Sequence, residues 1–252
     1  MTDKEESFFR KRITELADTC FQKSIPTQSW FLNADEQSVL ESMHLSAAGA
    51  RMVLDGGFDA SERKAACFLP DYMDAVPEDL FSFLKIAPAQ PKFADELTHR
   101  DFLGALMNLG MERKVFGDIC VSDNCAHLVI LSNAKETVLK ELTSVKHTTV
   151  TVTEEPRESF ASVLRTEILD VNCASLRADS LISSVWRFSR TRAKELFAAE
   201  KVFRNGASLT DGSAFLKPGD LVSVRGYGRF RLLPESRETK KGRLYVRVEL
   251  FV

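Results

Sequence analysis

The sequence lacks an apolar run of the length that a membrane-spanning helix needs. No stretch of its 252 residues approaches the roughly 20 consecutive apolar residues that such a helix requires. The first residues, Met1 to Glu6, are polar and acidic, which is not the pattern of a signal peptide. We therefore expect a cytoplasmic protein with no membrane partner.

Cysteine is scarce, and its spacing has no recognisable pattern. The five cysteines are an odd number, they are widely spread, and no two of them form a Cys-x-x-Cys pair. Cys120 and Cys125 flank a predicted hairpin turn with His127 nearby, but a metal site would need a second pair of ligands that the sequence does not offer. We expect half-buried thiols and no metal.

A glycine-rich cofactor loop is also missing. The chain has 12 glycines, and no group of them forms a Gly-x-Gly-x-x-Gly run. His99 is the most tempting candidate for catalysis, yet it opens a predicted helix with no nucleophile beside it. We therefore expect no catalytic residue, no cofactor and no small-molecule substrate.

Charge is distributed unevenly along the chain. Residues 176–252 carry 16 Lys and Arg against 8 Asp and Glu, whereas residues 1–175 carry 18 against 28. A basic segment on an acidic chain is the electrostatic footprint of a protein that binds a phosphate backbone. A solvated basic surface would give the same counts, so charge alone does not decide between the two.

Two short helices and two turns are predicted in the basic segment. One helix runs from Asp179 to Val185, and Ser189 is a suitable N-cap for the next helix because its hydroxyl accepts from an unpaired backbone amide. Asn205-Gly206 is the favoured turn of a two-residue hairpin. A second turn at Pro218-Gly219-Asp220 precedes a predicted strand.

The second of these helices divides its basic residues between two faces. Arg190 and Lys194 are four residues apart, about one helical turn, and therefore share a face. Arg192 points elsewhere. The spacing thus predicts one pair of cations that can meet a single partner.

The sequence pattern of the N-terminal part of the chain predicts two further domains. Residues 1–75 are mainly helical, with one short strand at residues 51–54, and Asn33 with Glu36 three residues on is a candidate capping box at a helix start. Residues 76–155 have the order β-α-β-β-α-β of a split βαβ, ferredoxin-like domain. Residues 156–175 form a linker, in which residues 165–171 are a candidate strand of the C-terminal sheet. The predicted fold class is α+β, in a multidomain chain.

The Gly-Gly-Phe run at residues 56–58 is followed closely by Ser61-Glu62-Arg63-Lys64. Two interpretations are equally good at this point. The segment is either a functional loop or a turn that joins a strand to a helix.

Three motifs of the basic segment belong together: Arg177-Ala178-Asp179, Ser189-Arg190-Thr191-Arg192-Ala193 and Pro218-Gly219-Asp220. They resemble the S-four domain, a small RNA-binding module named after a small-subunit ribosomal protein. The sequence departs from the family pattern at Glu200, where the family has glycine, and at Arg204, where the family has valine. The resemblance implies that residues 176–252 are an RNA-binding domain with a C-terminal strand extension.

Further motifs in the rest of the chain point to one particular family of S-four proteins. They are Asp55-Gly56-Gly57-Phe58, His99 to Leu106 with Gly117-Asp118-Ile119, and Arg225 to Phe230 with Thr239 to Arg243. Together with the S-four motifs they resemble the YlmH family of bacterial RNA-binding proteins over nearly the whole chain. The resemblance implies an N-terminal helical domain, an RRM-like middle domain and a C-terminal S-four domain. It also implies binding to ribosomal RNA and tRNA on a large ribosomal subunit that holds peptidyl-tRNA, in ribosome-associated quality control of stalled nascent chains.

The middle domain lacks the usual base-stacking residues. RNA-recognition modules stack bases on aromatic side chains of their central strands, but the corresponding strand here, His127 to Ser132, is aliphatic. A secondary RNA contact would come instead from His99, Arg100, Arg113 and Lys114.

Two functional hypotheses stay open. The first is a monomeric, non-enzymatic protein that recognises the shape and backbone of structured RNA. The alternative is an RNA-modifying enzyme, a pseudouridine synthase or a methyltransferase, with an appended S-four domain; Arg100-Asp101 is the nearest match to a catalytic aspartate. The residues expected to contact RNA are Arg177, Arg187, Ser189, Arg190, Arg192, Lys194, Lys201, Arg204, Asn205, Arg225, Arg229, Lys240, Lys241 and Arg243.

Overall fold

The computed structural model describes residues 2–43, 45, 50–58, 61–159, 166–238 and 244–251, with the backbone alone for residues 235–238. The chain divides into two compact units, Met1–Val163 and Leu164–Val252. Helices are combined with antiparallel sheets in both units, which confirms the predicted α+β class. The predicted boundary at residue 75 falls inside the first unit, and the three-domain division stays a prediction.

The first unit begins with a helix packed on a small sheet. Its elements are α1 (Asp3–Lys23), β1 (Thr27–Leu32), α2 (Ala34–Ser42), β2 (Ala50–Asp55) and β3 (Lys64–Pro70). The strands pair in the antiparallel order β1–β3–β2, and Phe9 and Ile13 of α1 share one apolar core with Phe68 of β3. A capping box joins Asn33 and Glu36 at the start of α2, as the sequence of that segment predicts.

A five-stranded sheet follows in the same unit. Its elements are β4 (Phe81–Pro88), α3 (His99–Met107), β5 (Phe116–Ser122), β6 (Cys125–Leu131), α4 (Lys135–Glu141), β7 (Ser144–Val145) and β8 (Thr148–Glu154). The strand order is β5–β6–β4–β8–β7. The predicted succession of strands and helices is observed, with the two-residue strand β7 added. Phe102 and Leu106 of α3 are fully buried in the core beside this sheet.

The connection between β2 and β3 docks on strand β5. The Asp118 carboxylate accepts hydrogen bonds from the backbone N–H groups of Glu62 (2.7 Å) and Arg63 (3.0 Å). The Arg63 guanidinium donates to the carbonyl oxygens of Phe31 (2.6 Å) and Phe116 (3.1 Å). The segment therefore joins two strands and holds the small sheet against the larger one, so its interpretation as a strand-to-helix turn was wrong.

The second unit is a six-stranded sheet with two helices. Its elements are β9 (Thr166–Cys173), α5 (Ala178–Val185), α6 (Arg190–Ala198), β10 (Val202–Arg204), β11 (Ala207–Ser208), β12 (Leu221–Val224), β13 (Gly228–Glu238) and β14 (Leu244–Phe251). The strand order is β11–β10–β12–β13–β14–β9. Strand β9 pairs with β14 along its whole length. It lies inside the predicted linker, so the second unit begins before Leu176.

Candidate nucleic-acid interface

A cleft of about 560 Å³ opens beside α5 and α6 in the second unit. Helix α5 buries Leu181 and Ile182 in the core. Its serines lie on the opposite side, because residues three and four apart in a helix share a face. We call this the serine cleft, and the polar and aromatic residues that define it are Ser175, Arg177, Asp179, Ser180, Ser183, Ser184, Phe188, Arg190 and Lys194.

Arg177 is neutralised by a neighbouring carboxylate at the start of α5. Its Nη2 atom lies 2.6 Å from Oδ2 of Asp179, and its Nε atom lies 3.0 Å from Oδ1. This bidentate pair lowers the pKa of Asp179 and raises the pKa of Arg177. Arg177 therefore adds little net charge to the cleft.

The basic residues of α6 divide between two faces, as their spacing predicts. Arg190 and Lys194 line the serine cleft. Arg192 instead donates from Nη1 to Glu195 (2.9 Å) and from Nη2 to the hydroxyl of Tyr227 (2.8 Å). Within the part of the chain that the structure describes, neither Arg190 nor Lys194 forms an ion pair. These two residues supply the positive charge of the cleft that no ion pair takes up, and the charge of Lys194 also helps to lower the pKa of Asp179.

A chain of aromatic rings supports the wall of the cleft. The Phe188 ring centroid lies 4.7 Å from that of Tyr227 in an edge contact and 6.2 Å from that of Trp186 in a stacked contact. Trp186 in turn meets the buried ring of Phe230 at 5.6 Å. Phe188 is therefore held in place by two neighbouring rings, and this arrangement is anchored in the core.

The turn between α5 and α6 contains two of the predicted RNA contacts. Arg187 is exposed and adopts a left-handed backbone with φ of 55°. Ser189 is the N-cap of α6, and its hydroxyl accepts a hydrogen bond from the Arg192 N–H at 3.1 Å. The predicted capping role of Ser189 is confirmed, and its contact with RNA stays a prediction.

A second group of cations surrounds the turn between β12 and β13. The Arg225 N–H donates to the Lys201 carbonyl at 2.9 Å, and its guanidinium lies 4.7 Å from the Phe203 ring centroid. Tyr227 of the same turn receives the hydrogen bond from Arg192. Helix α6 thus contributes basic residues to both the serine cleft and this turn.

The turn of the β10–β11 hairpin is held by the segment at the start of β12. The Asn205 amide donates to the Asp220 carboxylate at 2.8 Å and accepts from the Leu221 N–H at 2.9 Å. Asn205 has φ of 52°, the left-handed conformation that its turn requires. Asn205 therefore shapes the hairpin, and Arg204 beside it donates to the Phe215 carbonyl at 3.5 Å.

Glu200 also adopts a left-handed backbone, with φ of 51°. Glycine is the residue that reaches this conformation at no steric cost, which agrees with the glycine of the S-four pattern at this position.

The remaining C-terminal candidates are only partly described. Arg229 lies on β13 with its guanidinium 5.1 Å from the Phe251 ring centroid. Lys240, Lys241 and Arg243 lie outside the described residues. The structure thus brings Arg177, Arg190 and Lys194 into one cleft and groups Arg192, Lys201 and Arg225 near one turn.

The secondary candidates in the first unit lie on two segments, with His99 and Arg100 at the start of α3 and Arg113 and Lys114 just before β5. Arg113 donates to the carbonyl oxygens of Phe116 (2.6 Å) and Gly117 (3.2 Å), and burial lowers its pKa to about 10. Lys114 pairs with Glu112 at 2.8 Å and lies over the ring of Trp30. The Arg113 guanidinium thus supports the turn before β5, and its contact with RNA stays a prediction.

His99 and Arg100 are exposed at the start of α3. Partial loss of solvent lowers the pKa of His99, and the positive charge of Arg113 lowers it further. Asp101 beside them accepts from the backbone and hydroxyl of Thr98 and pairs with Lys146 at 2.8 Å, and these hydrogen bonds lower its pKa to about 2. The carboxylate serves as a helix cap.

Sequence reasoning missed the serines of α5 and the aromatic wall. Ser180, Ser183 and Ser184 follow the spacing i, i+3, i+4 opposite the apolar stripe, which was visible in the sequence. That Phe188 borders the cleft depends on the packing of Trp186 and Tyr227, which no local pattern reveals.

The described residues contain no cluster of three or more His, Cys, Asp or Glu side chains that would hold a metal ion. Among the helices of that same part of the chain, none is both long and apolar enough to cross a membrane. Cys20, Cys67 and Cys173 are buried, and burial raises the pKa of the Cys67 thiol to about 12.

Comparison with known proteins gives three findings. A family model described as "Putative RNA-binding domain in YlmH" matches residues 81–159. The "Ribosome-associated protein quality control protein P2" of Bacillus subtilis (strain 168) is 30% identical over 223 residues, which cover 87% of this chain and 85% of that protein. This chain belongs to the YlmH family. A solved structure of "Cell division protein ylmH from Streptococcus pneumoniae" is similar to this YlmH-family chain with a TM-score of 0.51 and 26% identity, over 63% of this chain and 96% of that one.

Proposed function

We propose that this YlmH-family chain is a non-enzymatic protein that binds structured RNA through its second unit. The observation that carries the proposal is the position of Arg190 and Lys194, which line one cleft from a single face of α6 without ion pairs among the described residues. A helical turn sets their Cβ atoms about 5–6 Å apart. The two charges can therefore meet one stretch of phosphate backbone.

The architecture that goes with this function has three parts. Residues 1–75 are an N-terminal domain, residues 76–155 an RRM-like domain and residues 176–252 an S-four domain. The antiparallel order β5–β6–β4–β8 supports the RRM-like part. The succession of α5, α6 and the β10–β11 hairpin supports the S-four part.

The cellular target in this proposal is the large ribosomal subunit that holds peptidyl-tRNA, in the cytoplasm. The name of the Bacillus subtilis relative, which places that protein in ribosome-associated quality control, supports it. The protein acts as a monomer that contacts ribosomal RNA and tRNA. Recognition rests on backbone and shape, because side chains do not enter the deep major groove of an RNA helix.

Replacing Arg190 and Lys194 together by Ala tests the proposal. Each phosphate contact releases counterions, so the double variant is expected to weaken binding to different RNA hairpins alike. The slope of log K against log salt is expected to decrease in magnitude by about 2, one for each lost contact. Fluorescence anisotropy over a salt series measures both quantities.

A matched control removes the same charge elsewhere. Lys11 and Lys23 are exposed on α1, so the double variant Lys11→Ala/Lys23→Ala changes the net charge equally without touching α6. We expect this control to keep the affinity and the salt slope of the parent protein. Equal binding by the Arg190/Lys194 variant and the parent would refute the proposed function.

The enzymatic alternative is tested separately at Asp101. Its carboxylate is engaged by Thr98 and Lys146, which supports a structural role. Incubation with ribosomal RNA, with and without S-adenosylmethionine, followed by mapping of modified bases, is expected to show no product. Turnover that disappears in Asp101→Asn would establish an enzyme instead.

A further inference from the structure

The serine cleft contains unused hydrogen-bonding groups. Ser180, Ser183 and Ser184 line it from one face of α5. None of their hydroxyls forms a hydrogen bond with another described residue. A serine hydroxyl donates one hydrogen bond and accepts others, so this face of α5 can meet a ligand with both donors and acceptors. A backbone phosphate offers only acceptors. It would therefore leave the acceptor lone pairs of the serine hydroxyls without a partner.

The wall of the cleft offers an aromatic surface as well. Phe188 borders the cleft and is held by Trp186 and Tyr227. A ring that is already fixed loses little conformational freedom when a ligand stacks on it. Proteins that bind unpaired nucleotides stack bases on such rings.

Size excludes a double helix from the cleft interior. Its volume of about 560 Å³ lies in the range of roughly 300–1,000 Å³ that is typical of sites for small ligands. One nucleotide is a ligand of that class, whereas a paired helix is too wide to enter and can contact only exposed lining residues such as Arg190 and Lys194.

We propose that the serine cleft takes one unpaired nucleotide extruded from the bound RNA. This inference rests on the proposed function, and it adds a single-nucleotide subsite to the phosphate-binding face of α6. The base stacks on Phe188, the α5 hydroxyls meet the sugar and base edges, and Arg190 and Lys194 contact the flanking phosphates. A bulged nucleotide fits best, because it is already unpaired and costs least to extrude.

The test compares three versions of one short RNA hairpin with the full-length protein. The first has an uninterrupted paired stem, the second carries a single bulged nucleotide in that stem, and the third carries an abasic bulge there, while all three share the same loop. We expect the bulged hairpin to bind at least tenfold more tightly than the paired one, and the abasic hairpin to lose most of this preference.

Two cleft variants identify the subsite. Ser183→Ala/Ser184→Ala and Phe188→Leu are each expected to reduce the preference for the bulge severalfold and to keep the affinity for the paired hairpin. Thr191→Ala, which removes an exposed hydroxyl of α6 outside the cleft, is the matched control and is expected to keep the preference. Thermal melting monitors the fold of each variant, and the serine variant carries the test if Phe188→Leu is unstable.

The outcomes separate this inference from the proposed function. Equal affinity for the paired and bulged hairpins, with both weakened by Arg190→Ala/Lys194→Ala, would overturn the nucleotide subsite and leave the proposed function intact. A preference for the bulge that survives in the serine and Phe188 variants would also overturn the subsite. RNA binding that is indifferent to Arg190 and Lys194 would overturn both.

Discussion

Asp118 links two parts of the first unit through a few hydrogen bonds. It is 9% exposed and accepts from the backbone amides of Glu62 and Arg63. Its charge also favours the protonated forms of Arg63 and Arg113, whose pKa values burial lowers. A single carboxylate thus accepts hydrogen bonds from two amides and partly offsets the cost of burying two charged guanidinium groups.

Replacing Asp118 by Ala should therefore destabilise the first unit. The two amides that lose their acceptor are partly buried and should each cost about 1–2 kcal/mol, the lower part of the range for unsatisfied groups, so we expect the free energy of unfolding to fall by about 2–4 kcal/mol. Urea denaturation measures this change. Asp18→Ala, on the exposed face of α1, is the control and should change stability by less than about 0.5 kcal/mol. Similar values for both variants would contradict the assigned role of Asp118.

Residue roles were predictable from the sequence where they depend on local spacing. The shared face of Arg190 and Lys194 and the cap of Ser189 follow from helix geometry, and the structure confirms both. The RNA contact of Arg113 stays a prediction, whereas the hydrogen bonds from its guanidinium to backbone carbonyls were not foreseen. They depend on how a turn folds back onto β5, which spacing does not encode.

At the scale of elements, Gly56 lies where the β2–β3 connection packs too closely on itself to leave room for a side chain. A Cβ atom at Gly56 would lie 2.3 Å from the Ser61 hydroxyl and 2.4 Å from the Arg63 carbonyl. At Gly104, in the exposed part of α3, a Cβ atom would meet nothing within 4 Å. The same substitution should therefore have opposite effects in these two elements.

Gly56→Ala is expected to lower the free energy of unfolding by about 1–3 kcal/mol, as overpacking does. Gly104→Ala is expected to raise it by about 0.5–1 kcal/mol, because alanine loses less backbone entropy in a helix. Parallel urea titrations compare the two variants. A tolerated Gly56→Ala would show that the connection does not need its close approach to Ser61 and Arg63.

Elements with strong local signals were predicted well, and elements without them were not. Both α2 and α6 carry polar N-caps, and both are found at the expected positions. Strand β3 is buried along most of its length. Such a strand shows no alternation of apolar and polar residues, so its pattern does not separate it from a buried helix. The small N-terminal sheet was underestimated for this reason.

At the scale of the whole molecule, charge is polarised between the two units. Residues 164–252 carry 17 Lys and Arg against 10 Asp and Glu, whereas residues 1–163 carry 17 against 26. The net charge of the whole chain is only −2, so it does not reveal this difference between the units. The excess of basic residues predicts that the second unit supplies the electrostatic attraction to RNA. The sequence reveals this polarity directly, because it depends on composition and not on packing.

The intact chain and its two separate units should differ in how they bind RNA. The second unit has its own apolar core, so residues 164–252 are expected to fold alone and to keep the salt slope of the intact protein. At low salt they should bind a hairpin at least as tightly, because the repulsion from the acidic first unit is gone. Residues 1–163 should bind more weakly and with a smaller slope, although they include the matched RNA-binding domain at residues 81–159. Anisotropy titrations of the three proteins measure these slopes, and a first unit with the slope of the intact chain would show that the phosphate contacts lie there instead.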